Sequence, residues 1–110
     1  MKIARWDAAA WSFSTEKMKK VGLFSSERFF LDLYCLEPGQ SQTPHSHTGC
    51  DKVYLVAQGR ARVRIGDEQR TLVAGEAVIA PSGEVHGLEN DSSERTVVLT
   101  LMAPPPGKSA

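Results

Sequence analysis

The stretch "RARVRIGDEQRTLVAG", residues 60–75, alternates before it turns. Ala61, Val63 and Ile65 fall on one face, and Arg60, Arg62 and Arg64 on the other. A period of two is the pattern of a strand with one side buried and one side in water. "GDEQ" then supplies a turn, and "RTLVAG" runs on from it to a glycine. The same grammar extends outward in both directions. Before it, "RFFLDLYCL" (28–36) stops at "EPG", and "KVYLVAQG" (52–59) runs into a glycine. After it, "AVIAPSG" (77–83) is stopped by proline and glycine, and "RTVVLTLM" (95–102) is a last apolar run. No stretch keeps a helical period over a dozen residues with caps at both ends. The pattern predicts an all-β barrel or sandwich.

Residues 27–103 are expected to form this one β domain. Residues 1–26 show no clean period and are expected to pack on it through Trp6, Trp11 and Phe13. The tail, 104–110, contains three prolines in a row and is expected to be extended or disordered, because proline lacks the ladder donor. "RFFLDLYCL" and "RTVVLTLM" carry more apolar surface than one small core needs. With exposed sheet edges to cover, this points to a homodimer.

Composition excludes several classes. The 110 residues carry 13 basic and 13 acidic side chains, so net charge is zero and a nucleic-acid binder is not indicated. Lys17, Lys19 and Lys20 read as a solvated segment. Two cysteines, Cys35 and Cys50, are too few for a secreted disulfide framework. The first residues lack a signal peptide's apolar run, and no stretch approaches the ~20 apolar residues of a membrane span. The expectation is a cytoplasmic protein without membrane or nucleic-acid partners.

The chain has three histidines, His45, His47 and His86. On a strand, His45 and His47 point to the same side. His86 lies about 40 residues on, directly after "PSGEV". A metal needs ligands converging from several directions, and a pair plus one distant partner is what a barrel supplies. Neutral imidazole suits zinc, iron, copper, nickel and, with oxygen ligands, manganese. An isolated His-x-His is weak support alone; the surrounding spacing strengthens it.

Gly39 is followed by "QSQTP", then by His45 and His47, and this segment closes at Gly59. "GEAVIAPSGEVHGLEN" (75–90) contains Gly75, Pro81, Gly83, His86 and Asn90. In these residues the chain resembles the cupin superfamily of small jelly-roll β-barrels. The family's first motif is glycine, five residues, His-x-His, three or four residues, glutamate, six residues, glycine. Its second is glycine, five residues, Pro-x-Gly, two residues, histidine, three residues, asparagine, and here every position matches. The resemblance implies a single-domain cupin with one divalent transition metal (zinc, iron, manganese or nickel) on His45, His47 and His86. It also implies a small-molecule ligand or substrate. The chemistries of the family include dioxygenases, lyases and isomerases as well as non-catalytic binding modules, and fold likeness does not choose among them.

The chain departs from the family at the glutamate. Six intervening residues back from Gly59, and four forward from His47, both lead to Lys52; three forward from His47 lead to Asp51. An ammonium has no lone pair and is no ligand. Three arrangements remain open. The metal rests on three histidines with an open position, or a bulge turns Asp51 inward as a fourth ligand, or the interior is metal-free and Lys52 with the histidines binds an anion. Lys52 and Tyr54, which share a face on a regular strand, are the candidate ligand-binding and catalytic side chains; the alternative for Lys52 is a side chain that snorkels out of the barrel mouth to pair with an acid. The structural reading of Tyr54, a packed core aromatic, stands beside that one.

Overall fold

The computed structural model describes residues 1–106; the last four residues of the expected tail, 107–110, lie outside the described residues. A single 3-10 turn, Ala8–Ala10, precedes nine strands among the described residues. They are β1 (Lys19–Ser25), β2 (Phe30–Leu36), β3 (Ser41–His45), β4 (Asp51–Gln58), β5 (Arg60–Ile65), β6 (Glu68–Val73), β7 (Ala77–Ala80), β8 (His86–Glu89) and β9 (Thr96–Ala103). They form two antiparallel sheets, a large one ordered β1-β2-β9-β4-β7 and a small one ordered β3-β8-β5-β6. This is the all-β architecture that the alternation predicts, in the jelly-roll form that the resemblance implies. The two ladders remain separate: neither β1 nor β7 pairs with β3 or β6, so hydrogen bonds do not close a barrel.

The chain passes from the large sheet to the small one at Gly59, between β4 and β5. Its φ of +74° lies in the left-handed region, and a Cβ there would sit 2.5 Å from the Arg95 carbonyl oxygen. Only glycine meets both demands.

Alternation on β2, β9 and β4 divides the large sheet into two faces. Facing the small sheet are Tyr34, Leu36, Tyr54, Val56 and Val98, which pack with Ala61, Val63, Leu72 and Leu88 in the main core. Lys52 shares this face of β4 and is only 2% exposed. The opposite face carries Leu33, Cys35 and Val97, covered by Trp11 and Phe13 with Val21, Leu23 and Leu99 around them. Burying each large aliphatic side chain contributes ~1.5–3 kcal/mol, so this second layer is a substantial part of the fold. Trp6 is 56% exposed and contributes its carbonyl oxygen, which accepts from Trp11 Nε1 at 3.1 Å.

Asn90 is fully buried between β8 and β9. Its Nδ2 donates to the carbonyls of Leu36 at 3.1 Å and Glu94 at 2.7 Å, while Oδ1 accepts from Ser92. It ties the β8–β9 loop to the end of β2, the turn-stabilising role its residue type suggests.

Candidate metal centre

The histidines are brought together by β3 and β8. Gln42 pairs with Leu88, but the next registered pair is His45 with His86, so β3 has gained one residue. That bulge changes the parity of the strand. Without it, Gln42 and Pro44 would share a face and His45 would point away. With it, Gln42 and His45 both face the interior. Pro44 is tolerated because β3 is an edge strand and the bulge leaves its missing N–H without a ladder role. Gly87 on β8 lies under the bulge. A Cβ there would stand 2.9 Å from the Gln42 carbonyl oxygen and 3.0 Å from Pro44 N and Cα, all of them backbone atoms. Close passage of β3 over β8 therefore depends on the absence of a side chain at 87. After β3, the His47 carbonyl accepts from Gly83 N–H at 2.9 Å, which pins the second histidine to the "PSG" turn before β8.

The three imidazoles face one another. Ring centroids are 4.8 Å apart for His45–His47, 4.5 Å for His45–His86 and 5.8 Å for His47–His86. One ring nitrogen from each lies within 4.8 Å of the others, so the group could hold a metal ion. Main-chain carbonyls set the tautomers. His45 Nδ1 lies 2.8 Å from the Thr43 carbonyl, and His86 Nδ1 lies 3.0 Å from the Glu84 carbonyl. A carbonyl only accepts, so each Nδ1 carries the proton and each Nε2 presents a lone pair. His86 is buried, and its Nε2 has no hydrogen-bond partner among the described residues. Leaving such an atom unsatisfied costs ~1–3 kcal/mol, which a bound cation would offset. Burial pushes the His86 pKa down to about 4, opposed by the Glu84 carbonyl and assisted by Lys52. Burial also lowers the pKa of His47, with His45 and Lys52 adding to the effect. Both rings are thus held in the neutral, ligating form at neutral pH. By donor type, tautomer and the orphaned Nε2, the residues fit a transition metal.

The opposite wall belongs to the large sheet. The register runs Asp32–Thr100–Tyr54 across β2, β9 and β4, with Met102–Lys52 in the next inward row. Tyr54 approaches the histidines, its ring centroid 6.3 Å from that of His86. Lys52 Nζ is 5.3 Å from the Tyr34 ring centroid and 5.4 Å from that of Tyr54. Gln42 reaches across from β3. Its Oε1 accepts from Tyr54 OH at 2.7 Å and from Lys52 Nζ at 3.3 Å. Burial lowers the Lys52 pKa to about 8, with Lys20 adding to the fall and Asp32 opposing it. Burial raises Tyr34 to about 12 and pushes Tyr54 higher still, while Asp32 is raised chiefly by its own burial. Thr100 Oγ1 is buried on this wall without a partner among the described residues.

Asp51 sits elsewhere. The β4–β9 register is unbroken from Asp51 to Val56, so no bulge turns its side chain inward. It is exposed, and its Oδ1 accepts from Ser82 N–H at 3.0 Å. Cys50 is buried nearby but stands outside the histidine group. Three residues of the site escaped the sequence reading: Gln42, Asp32 and Gly87. Asp32 carried a signal, as the lone acid in an apolar run at the parity of Tyr34. Gln42 and Gly87 carried none, because their roles follow from the β3 bulge.

Comparison with known proteins gives a consistent result. A model of the cupin domain family matches residues 32–102. The crystal structure of the Thermus thermophilus protein TT1209 superimposes with a TM-score of 0.90 at 41% identity, covering 94% of this chain and 98% of that one. An uncharacterised protein of Streptomyces coelicolor is 32% identical over 99 residues, 90% of this chain and 83% of its own length. The pectin degradation protein KdgF of Dickeya dadantii is 28% identical over 98 residues, covering 89% of this chain and 88% of KdgF.

Proposed function

This chain belongs to the cupin family, and on that premise we propose that it is a mononuclear metal enzyme of lyase, isomerase or dioxygenase type acting on a small polar molecule. The observation that carries the reading is the histidine group: three imidazole nitrogens within 4.8 Å, with the buried His86 Nε2 left without a partner. His45, His47 and His86 would hold one zinc, iron, manganese or nickel ion, and coordination would be completed by water or substrate. When bound, such an ion polarises a substrate oxygen or binds dioxygen. Lys52 and Tyr54 are buried on one face of β4 in the other sheet, with the Tyr54 ring centroid 6.3 Å from that of His86. Lys52 would hold an acidic group of the substrate, and Tyr54 would donate a hydrogen bond or a proton from its OH. The likeness to a protein named for pectin degradation supports an enzyme.

A second reading, a metal- or small-molecule-binding module without turnover, is favoured by one contact. Gln42 already occupies Tyr54 OH and one donor of Lys52 with a protein oxygen. For either reading we propose a cytoplasmic homodimer; sedimentation at micromolar concentration showing only a 12.0 kDa species would exclude the dimer.

The test of the metal is elemental analysis of protein purified without an affinity tag. About one equivalent of a transition metal is expected, and none in the variant carrying His45→Ala and His86→Ala. Wild-type protein that takes up no zinc, iron, manganese or nickel on incubation would refute the reading.

A further inference from the structure

Two donors from the large sheet, Lys52 Nζ and Tyr54 OH, converge on a single acceptor, Gln42 Oε1. The match is poor at Lys52. The contact is 3.3 Å, longer than the ~2.7–2.9 Å of a charge-assisted hydrogen bond, and the acceptor is neutral although Lys52 is 2% exposed. A buried charge without a counter-charge is costly. Asp32 opposes the depression of the Lys52 pKa, but it does not hydrogen-bond to the ammonium. The planar amide of Gln42 has the shape of a carboxylate. A carboxylate oxygen in its place would keep both hydrogen bonds and add the missing charge.

Gln42 is half-buried and also borders solvent. It borders a cleft of about 640 Å³ between β1 and β3, edge strands of two sheets that do not pair there. Lys17, Lys19 and Lys20 line that cleft, and none of its lining residues is acidic. Lys20 Nζ lies 5.3 Å from the Tyr34 ring centroid, the same ring that Lys52 Nζ approaches at 5.3 Å. One aromatic ring and one glutamine thus separate an exposed basic cleft from a buried ammonium.

We propose that Lys52 and Tyr54 form a carboxylate subsite, filled in this structure by Gln42 Oε1 and reached by small carboxylic acids through the lysine-lined cleft between β1 and β3. Gln42 is then an internal stand-in that the ligand displaces, and the lysines at 17, 19 and 20 gather anions at the entrance. The inference rests on the reading that Lys52 and Tyr54 meet the ligand, and it does not require the metal.

The probe is malonate, with uncharged malonamide as control, titrated calorimetrically into the full chain as purified. Five variants are titrated in parallel, each checked for folding by circular dichroism. Malonate is expected to bind and malonamide to fail. Gln42→Ala removes the internal competitor and should tighten malonate binding several-fold. Gln42→Glu supplies a permanent internal carboxylate and should weaken binding at least tenfold. Lys52→Met should also weaken it at least tenfold, and should Lys52→Met not fold, the two Gln42 variants still decide. Replacing Lys17, Lys19 and Lys20 together by Ala should reduce affinity and flatten its dependence on salt. The His45→Ala, His86→Ala variant should still bind malonate, and this separates the subsite from the metal. Binding lost in the histidine variant but kept in Lys52→Met would place malonate on the metal and overturn the proposal. So would equal binding of malonamide, unchanged binding in Gln42→Glu, or no binding of malonate at millimolar concentration.

Discussion

The two walls of the interior are built on different principles. On the small sheet, His45 and His86 are each oriented by a main-chain carbonyl two residues before them, Thr43 and Glu84. On the large sheet, Lys52 and Tyr54 are oriented by a side chain from across the gap, Gln42. Main-chain partners cannot turn away without moving the chain itself, so the orientation of His45 and His86 is set by the backbone of β3 and of the turn leading into β8. A glutamine has three rotatable bonds and can leave. The histidine wall therefore suits an ion, which demands fixed ligands, while the lysine wall suits exchange of one oxygen for another.

The largest effect that would break this contrast is removal of the fixed wall. The paired changes His45→Ala and His86→Ala should reduce metal affinity by more than the ~10–100-fold typical of losing an outer-shell partner, with the fold retained. Metal titration followed by circular dichroism checks both parts.

A smaller but more specific effect comes from Gly87→Ala. The new methyl would meet backbone atoms of Gln42 and Pro44 at 2.9–3.0 Å, so β3 must shift. That moves His45 relative to His86, and we expect roughly a 10-fold loss of metal affinity with a stability cost of ~1–3 kcal/mol. Gly22→Ala is the control, since its methyl would meet only Asp32 Oδ1, at 3.6 Å. Equal metal affinity in the two variants would show that the bulge does not position the histidines.

The lysine wall should respond to pH. The Lys52 pKa falls from 10.5 to about 8 in the folded protein. The unfolded chain therefore binds more protons at this site between those values, and stability rises as pH increases through them. The burial penalty is fully present below pH 8 and relieved above about 10.5. Tyr34, raised from 10 to about 12, acts in the opposite sense: its contribution is present below pH 10 and is lost as pH rises toward 12. The useful window is therefore pH 8 to 10. There the wild type should gain stability relative to Lys52→Met, by ~2 kcal/mol. Denaturant midpoints at several pH values measure it, and parallel curves would show that Lys52 is not buried as a cation. Lys52→Glu should also raise metal affinity, by restoring a carboxylate at the family's register.

Much of this was legible in the sequence because period two survives wherever one face is buried. The alternation of Ala61, Val63 and Ile65 became β5, and the register counted from Gly59 put Lys52 on one face with Tyr54 and Val56; the choice between an inward and a snorkelling lysine came only from the structure, where Lys52 is buried. The histidine group was readable from two motifs and the requirement that ligands converge. What stayed hidden lies at interruptions of period. β1 falls within 1–26, where a shift between Gly22 and Phe24 breaks its parity. The extra residue in β3 makes Gln42 and His45 face the same way although three positions separate them. Gly87 answers to that bulge, and no local pattern announces a residue whose neighbours come from another strand.

The smallest expected effect is at Asp51, and it sharpens the contrast by testing its boundary. Asp51 and Lys52 are adjacent in sequence and both sit near the register of the family's glutamate. An inward Asp51 would have added a rigid carboxylate ligand to the histidines and made the site a four-ligand centre. Its Oδ1 instead accepts the Ser82 N–H at 3.0 Å, on the exposed side of β4. Asp51→Asn keeps an oxygen acceptor there, so the turn at Pro81–Gly83 should survive with a loss of ~0.5–1 kcal/mol or less. Metal affinity should be unchanged within error. Thermal unfolding and a metal titration on the same preparation give both numbers. A loss of metal affinity in Asp51→Asn as large as that in the histidine variant would mean that the carboxylate turns inward when the ion binds. The lysine wall would then no longer be separate from the metal wall.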